Sequence, residues 1–127
     1  MNDAAPPRRI WLCADDYGLA EGVNRAIRDL ISRGRLNATS VMVVGAAIGR
    51  DEVAELQAVA AASPRCAIGL HATLTAPFRP LSMYFRPLHG GLFLPFPAML
   101  RSGLLRRLEP DLIEDELLAQ LAAFKEL

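Results

Sequence analysis

The sequence has little cysteine and no hydrophobic run of membrane-spanning length. Its two cysteines, Cys13 and Cys66, each lie in a strand-like apolar stretch, so we expect reduced, buried thiols rather than a disulfide or a metal-binding pair. The first residues, 1–9, are basic and contain proline, and the apolar stretch after them ends at Asp15. Neither a signal peptide nor a transmembrane helix fits this pattern, and we expect a cytoplasmic protein with no membrane insertion.

An excess of charge of either sign is also absent. Lysine and arginine together number 14, and aspartate and glutamate together number 14. This balance removes the electrostatic footprint that a nucleic-acid-binding or membrane-surface protein usually carries. Internal repeats and low-complexity segments are missing as well. Because 52% of the residues are hydrophobic, a packed core is feasible, and we predict a single domain over residues 1–127.

What the chain does contain is an alternation of strand and helix patterns. Apolar or β-branched runs predict strands at residues 9–14, 39–44 and 66–75, the first of them buried on both faces. Helical spacing of apolar residues predicts a helix over residues 20–33, and a second helix is predicted to begin at an Asp51 cap and end before Pro64. The order β-α-β-α-β predicts an α/β fold with parallel strands and right-handed crossovers.

The second half of the chain departs from this alternation. Residues 76–97 are rich in proline and aromatic residues, which is typical of a functional lid or a linker. Their aromatic side chains either stack on a sugar ring or pack the loop against the fold. Residues 98–107 predict a short basic helix, and Pro110 begins a longer one with an apolar face of Ile113, Leu117, Leu121 and Phe124. Because the chain ends on a helix with no strand after it, the sheet would have only three strands, and both of its apolar faces would have to be covered by the predicted helices. We therefore expect these strands to belong to a larger sheet.

Two acids and a histidine follow the predicted strands. Asp15 and Asp16 end the first strand and His71 lies near the end of the third, and in parallel α/β folds those ends line the active site. One acid can then ligate a metal while its neighbour acts as a base. Taken singly, an aspartate pair before Gly18 is often only a turn, and a lone histidine is often only a hydrogen-bonded core residue.

Four ordered motifs resemble those of the YdjC-like carbohydrate deacetylase family. They are residues 13–19 (CADDYGL), 22–27 (GVNRAI), 39–42 (TSVM) and 68–71 (IGLH). Weaker similarity through residues 91–93 and 116–124 resembles the branch associated with hopanoid biosynthesis. The resemblance implies the N-terminal part of a distorted TIM-like (β/α) barrel, in which an aspartate and two histidines hold a divalent metal, zinc or magnesium, and a second aspartate acts as base. The implied reaction removes acetyl from an N-acetylated sugar, such as an N-acetylglucosamine-containing oligosaccharide or glycolipid.

Residue by residue, the resemblance assigns Asp16 and His71 as metal ligands and Asp15 as the catalytic base. We also expect Asn24, on the helix that follows, to help position the site and bind substrate. The family's second metal histidine belongs to a motif downstream of the last predicted helix, and His89, in the proline-rich loop, is a poor substitute. A complete barrel needs about 250 residues, so we expect an incomplete deacetylase domain that is inactive alone.

Two other functions are compatible with parts of the pattern. A response-regulator receiver also has acids after its first strand, but it needs an aspartate at the end of the third strand, where this chain has His71. A non-catalytic assembly or regulatory role is the other alternative, because open strand edges tend to pair with a second copy. A homo-oligomer is therefore expected.

Overall fold

The structure is a computed structural model that describes residues 8–127. The predictions for the start of the chain rest mainly on residues 1–7, which lie outside the described range. Helices and strands follow one another in the order β1 (Cys13–Tyr17), α1 (Glu21–Ser32), β2 (Ala38–Val41), α2 (Arg50–Ala62), β3 (Ala67–Leu70), β4 (Leu88–His89), β5 (Leu92–Phe93), α3 (Phe96–Leu104) and α4 (Pro110–Lys125). Within residues 8–127, none of these helices has the length and apolar character needed to cross a bilayer.

The first three strands form a parallel sheet in the order β1-β2-β3. The parallel β/α alternation predicted from the sequence is thereby confirmed. One face of the sheet packs against α1 and α2 in a core that includes Tyr17, Ile27, Ile31, Val41 and Leu56. Burial of these side chains fixes the strand register, because a shift of one residue would turn each strand's apolar set away from the helices.

The other face of the sheet differs from the prediction. Side chains alternate along a strand, so Cys13 and Asp15 of β1 share this second face with Ser40 of β2, and all the residues on it are small or polar. Cys13 is exposed, as are Ile10, Trp11 and Leu12 before it. The prediction of a first strand buried on both faces and of a buried Cys13 thiol was therefore wrong for the described residues, because α1 and α2 both pack on the opposite face of the sheet.

The two helices after β1 and β2 match the predicted positions within a few residues, but the predicted cap was wrong. The N-cap of α2 is Gly49 in an extended conformation, and Asp51 lies inside the first turn. There its carboxylate interacts favourably with the partial positive charge of the helix N-terminus without capping it.

The proline-rich segment forms a compact unit. Strands β4 and β5 make an antiparallel hairpin, and Phe85, Phe93 and Met99 form a second core with partly buried neighbours that include Phe78 and Ile113. The rings of Phe85 and Phe93 meet edge to face with centroids 5.0 Å apart, a favourable aromatic geometry. Of the two roles considered for the loop aromatics, these two pack the loop.

Helix α4 joins this unit to the sheet through polar side chains, which sequence periodicity did not predict. Its fully buried residues are Glu116 and Gln120, while the predicted apolar face is only half-buried. Gln120 accepts a hydrogen bond from the Thr73 backbone N–H at 2.9 Å and donates one to the Thr73 carbonyl at 2.7 Å. Glu116 accepts from the backbone N–H groups of Leu81 and Ser82 at 3.1 and 2.7 Å. Both side chains thus hold the backbone that follows His71.

Candidate metal and catalytic site

The two acids at the end of β1 lie in a β-bulge. The β1–β2 register shifts between Ala14 and Tyr17, and Asp16 adopts a left-handed conformation with φ of 68°. Aspartate tolerates this region better than most residues, and bulges beside active sites redirect side chains. In a regular strand Asp15 and Asp16 would point to opposite faces, whereas the bulge brings both carboxylates towards the same neighbours.

His71 lies directly after β3 and is linked to Asp16 directly and to Asp15 through Ser40. Its Nδ1 atom is 3.5 Å from Asp16 Oδ1 and 3.0 Å from Ser40 Oγ on the central strand. The Ser40 hydroxyl in turn donates to Asp15 Oδ1 at 2.7 Å. Since a hydroxyl has one hydrogen, this donation leaves the Ser40 oxygen as an acceptor for a proton on Nδ1. The carboxyl ends of three adjacent strands therefore contribute to one polar cluster.

The hydrogen bond from Ser40 is the main reason that the pKa of Asp15 lies below its usual range, with smaller effects from Cys13 and from the charge of His71. Asp15 is accordingly a carboxylate at neutral pH, the form that accepts a proton. Partial burial, and then the hydrogen bond with Asp15, raise the pKa of the Cys13 thiol, so Cys13 is not a thiolate at neutral pH. Asp15 is exposed and Asp16 and His71 are partly exposed, which leaves the cluster open to solvent.

The spacing of Asp16 and His71 fits one cation. Two ligand atoms about 2.1 Å from a tetrahedral zinc ion lie roughly 3.4 Å apart, and Asp16 Oδ1 and His71 Nδ1 are 3.5 Å apart. Carboxylate oxygen and imidazole nitrogen are both ordinary zinc ligands. Among residues 8–127 there is no group of three or more His, Cys, Asp and Glu side chains arranged for a metal. These residues thus provide two suitable donor atoms.

Asn24, the predicted substrate-binding helper, lies behind the site and has no exposed surface. Its Oδ1 accepts from the Gly18 backbone N–H at 2.7 Å, and its Nδ2 donates to the Ala47 carbonyl at 2.8 Å and to Glu52 Oε2 at 2.9 Å. Asn24 therefore joins the turn after the two acids to the loop after β2. Its contribution to the site is to hold this turn in place.

Backbone contacts reinforce the same junction. A Cβ atom on Gly45 would lie 2.2 Å from the Gly18 carbonyl oxygen, and one on Gly18 would lie 2.8 Å from the Met42 oxygen. Only glycine permits this approach, and Gly18 also requires its positive φ of 102°. The acid-bearing turn is thus fixed by backbone proximity as well as by Asn24.

A buried polar network continues from Asn24. The Tyr17 hydroxyl accepts from Arg28 Nη1 at 2.8 Å and lies 3.0 Å from both the backbone oxygen and Oε2 of Glu52, and Arg28 also forms an ion pair with Glu52. Burial alone would raise the pKa of Glu52, but hydrogen bonds from Tyr17, Arg28 and Asn24 lower it below its usual value. Burial raises the pKa of Tyr17 to about 12.

The high pKa of Tyr17 predicts a loss of stability at alkaline pH. The pKa of Tyr17 is about 12 in the folded chain and 10.0 in the unfolded chain. The protonated phenol therefore contributes its full stabilisation below pH 10, and this contribution is lost as the pH rises towards about 12. We expect the free energy of unfolding to fall by roughly 2 kcal/mol from this residue over that interval. Urea denaturation of Tyr17→Phe should show a shallower loss, whereas Tyr84→Phe, at an exposed position, should behave as the parent. An unchanged slope in Tyr17→Phe would contradict this assignment.

A cavity of about 540 Å³ opens at the other end of the sheet, lined by residues before each strand, including Trp11, Asn37 and Cys66. It lies away from the Asp15, Asp16 and His71 cluster. Because chemistry in parallel β/α folds takes place at the carboxyl ends of strands, we assign the candidate site to the cluster and not to this cavity.

Sequence reasoning selected three of the four side chains that meet here. Ser40 was missed as a functional residue, although it belongs to one of the quoted motifs. A signal was available, because Ser40 is a polar residue between Thr39 and Val41 in a strand otherwise typical of a buried one.

The comparisons with known proteins agree with this fold. A profile of the YdjC-like protein family matches residues 9–127. No curated protein sequence matches the chain at a significant level. A crystal structure of a protein from Enterococcus faecalis V583, described as a candidate cellobiose-phosphate cleavage protein, superposes with a TM-score of 0.68 at 20% identity, over 91% of this chain and 43% of that one. The chain therefore spans less than half the length of this structural relative and has the fold of part of it. Because the profile covers nearly the whole sequence, the chain belongs to the YdjC-like family.

Proposed function

We propose that this chain forms the N-terminal part of a metal-dependent carbohydrate N-deacetylase. The supporting observation is the 3.5 Å separation of Asp16 Oδ1 and His71 Nδ1, beside an ionised Asp15 that Ser40 connects to the same imidazole. Asp16 and His71 would hold the ion and Asp15 would act as base. We infer that a further part of the polypeptide supplies the remaining ligand, since the structural relative is more than twice as long as the part that matches.

The bound ion would polarise the acetamide carbonyl and lower the pKa of a coordinated water. Asp15, exposed and ionised, would take the proton from the attacking water. Ser40 donates a hydrogen bond to Asp15, and a metal ion on His71 Nδ1 would take the place of the proton that this nitrogen otherwise shares with the Ser40 oxygen. Collapse of the tetrahedral adduct would break the C–N bond, with the proton held by Asp15 passing to the leaving nitrogen, and would release acetate and a free amine on the sugar. An imidazole donor favours zinc over magnesium.

The name of the structural relative refers to carbohydrate phosphate cleavage, which supports a sugar substrate in general terms. A pair of carboxylates is also the usual equipment of glycoside hydrolysis. The spacing of Asp16 and His71 fits a shared metal ion, and glycoside hydrolysis by two carboxylates does not need an ion there. We therefore favour acetyl removal over glycoside hydrolysis.

The test is an assay of the intact protein on N,N′-diacetylchitobiose and on cellobiose phosphate. We expect zinc-dependent acetate release from N,N′-diacetylchitobiose and no cleavage of cellobiose phosphate. His71→Ala should lose acetate release, while His89→Ala, an exposed control, should retain it. Cleavage of the glycosidic bond, or full activity in His71→Ala, would refute the proposal. The cytoplasmic location, the homo-oligomer and the hopanoid branch stay predictions.

A further inference from the structure

The histidine of the candidate site lies at the end of regular strand pairing. Pairing between β2 and β3 ends at Val41 and Leu70, and the His71 backbone N–H still donates to the Val41 carbonyl at 2.8 Å. The peptide group before His71 is thereby fixed to the sheet, whereas the one after it lies beyond the strand. Rotation about the N–Cα bond of His71 moves its side chain and its carbonyl together. Whatever holds the carbonyl therefore sets the direction of the imidazole.

Thr73 holds that carbonyl. Its hydroxyl donates to the His71 carbonyl oxygen at 3.1 Å, and Thr73 is itself buried. Both backbone polar groups of Thr73 bond to one side chain, that of Gln120 on α4, which lies 47 residues further along the chain. The Gln120 amide accepts from the Thr73 N–H and donates to its carbonyl, as the backbone of an antiparallel neighbour would.

Helix α4 gives Gln120 a fixed position. Gln120 has no exposed surface, and its amide nitrogen also donates to Glu116 Oε1 at 2.8 Å. Along the same helix, Ile113 packs on the core of the proline-rich unit, and Phe124 packs on the core between the sheet and its two helices. The helix is therefore held on both sides of Gln120. With three hydrogen bonds and no contact with solvent, the Gln120 amide has little freedom to rotate.

We propose that Gln120 is a positioning residue for His71 and that, through Thr73, it holds the imidazole beside Asp16. The consequence for metal binding rests on the proposed function, in which Asp16 and His71 share an ion. Ligands must be held within about 0.5 Å of their productive geometry. Loss of an outer hydrogen-bond partner typically lowers metal affinity about 10- to 100-fold. Because Gln120 acts through Thr73, we expect an effect at the lower end of this range.

Nuclear magnetic resonance of the metal-free intact protein tests the positioning itself. The imidazole nitrogen signals of His71 are identified by their loss in His71→Ala. Gln120→Met keeps the length of the side chain without its hydrogen bonds, and we expect it to shift these signals at fixed pH. Gln57→Met, the same change at an exposed position of α2, should leave them unchanged. This readout needs neither metal nor substrate, so failure of the inference is distinguishable from failure of the proposed function.

Zinc affinity, measured by competition with a chromogenic chelator, gives the size of the effect. Gln120→Met should bind zinc about 10-fold more weakly than the parent. Thr73→Val keeps both backbone bonds to Gln120 and removes only the hydroxyl, so it should also weaken zinc binding, and Thr73→Ser should restore it. Met99→Ala, in the core of the proline-rich unit, should lower the free energy of unfolding without changing zinc affinity or the His71 signals.

Circular dichroism and urea denaturation show whether each variant folds, and if Gln120→Met does not, Thr73→Val and Thr73→Ser carry the comparison. The inference is overturned if the His71 signals of the folded variants match those of the parent, if zinc binds the variants as tightly as it binds the parent, or if Met99→Ala produces equal changes. A parent that binds no zinc would refute the proposed function, and the His71 signals would still decide whether Gln120 positions the imidazole.

Discussion

If Asp15 is the base that we propose, Asp15→Asn is expected to lower kcat for acetate release by the intact protein about 10²- to 10⁴-fold, the usual contribution of a positioned general base. Asparagine keeps the size of the side chain and an oxygen that accepts the Ser40 hydrogen bond, but it cannot take a proton. Metal binding should change little, because the proposed donor atoms belong to Asp16 and His71. Measuring acetate release together with zinc affinity therefore distinguishes the proposed role of Asp15 from that of Asp16.

The control for this variant is Asp115→Asn, at an exposed position on α4, which should retain full activity. Asp16→Asn should reduce zinc affinity and activity together. If Asp15→Asn instead loses zinc and Asp16→Asn does not, the two roles are exchanged and our assignment is wrong.

Arg28→Met is expected to lower the free energy of unfolding by roughly 3 kcal/mol, because removing one member of a largely buried ion pair leaves the other charge uncompensated. Arg28 donates to Tyr17 and pairs with both Glu52 and Glu55, and its side chain is only 15% exposed. Urea denaturation followed by circular dichroism gives the change directly.

Arg33→Met supplies the comparison, since the ion pair of Arg33 with Asp29 is exposed and such pairs contribute about 0–1 kcal/mol. The double variant Arg28→Met/Glu52→Gln should recover part of the loss, because it removes the stranded carboxylate as well. Equal effects of Arg28→Met and Arg33→Met would show that the network contributes little.

The order of helices and strands was predictable because it depends on local periodicity. Residues 20–33 carry apolar side chains at helical spacing, and α1 follows them closely. The strands were predicted longer or earlier than they are, since an apolar run shows where a strand can form but not where its hydrogen-bonding partner ends. Residues 9–12 illustrate this: the Asn37 side chain bonds the backbone of Ile10 and Leu12, and the Asn37 backbone N–H donates to the Leu12 carbonyl at 3.2 Å, so regular strand pairing begins only after this stretch.

The candidate site was only partly predictable. Strand-end position pointed to Asp15, Asp16 and His71, and the structure brings these residues together. Their convergence depends on the left-handed φ of Asp16, and no local pattern distinguishes that conformation from a regular strand end. The buried roles of Asn24, Glu116 and Gln120 depend on which backbone groups of distant segments need hydrogen-bond partners, which only the folded chain determines.

The central claim is that Asp16 and His71 hold one cation at the carboxyl ends of β1 and β3. Crystals of the protein soaked in zinc and measured at the zinc absorption edge test it directly. The account predicts an anomalous peak within about 2.2 Å of both Asp16 Oδ1 and a ring nitrogen of His71, absent in crystals of His71→Ala. A fully bound zinc ion elsewhere, with neither side chain among its ligands, would contradict the account.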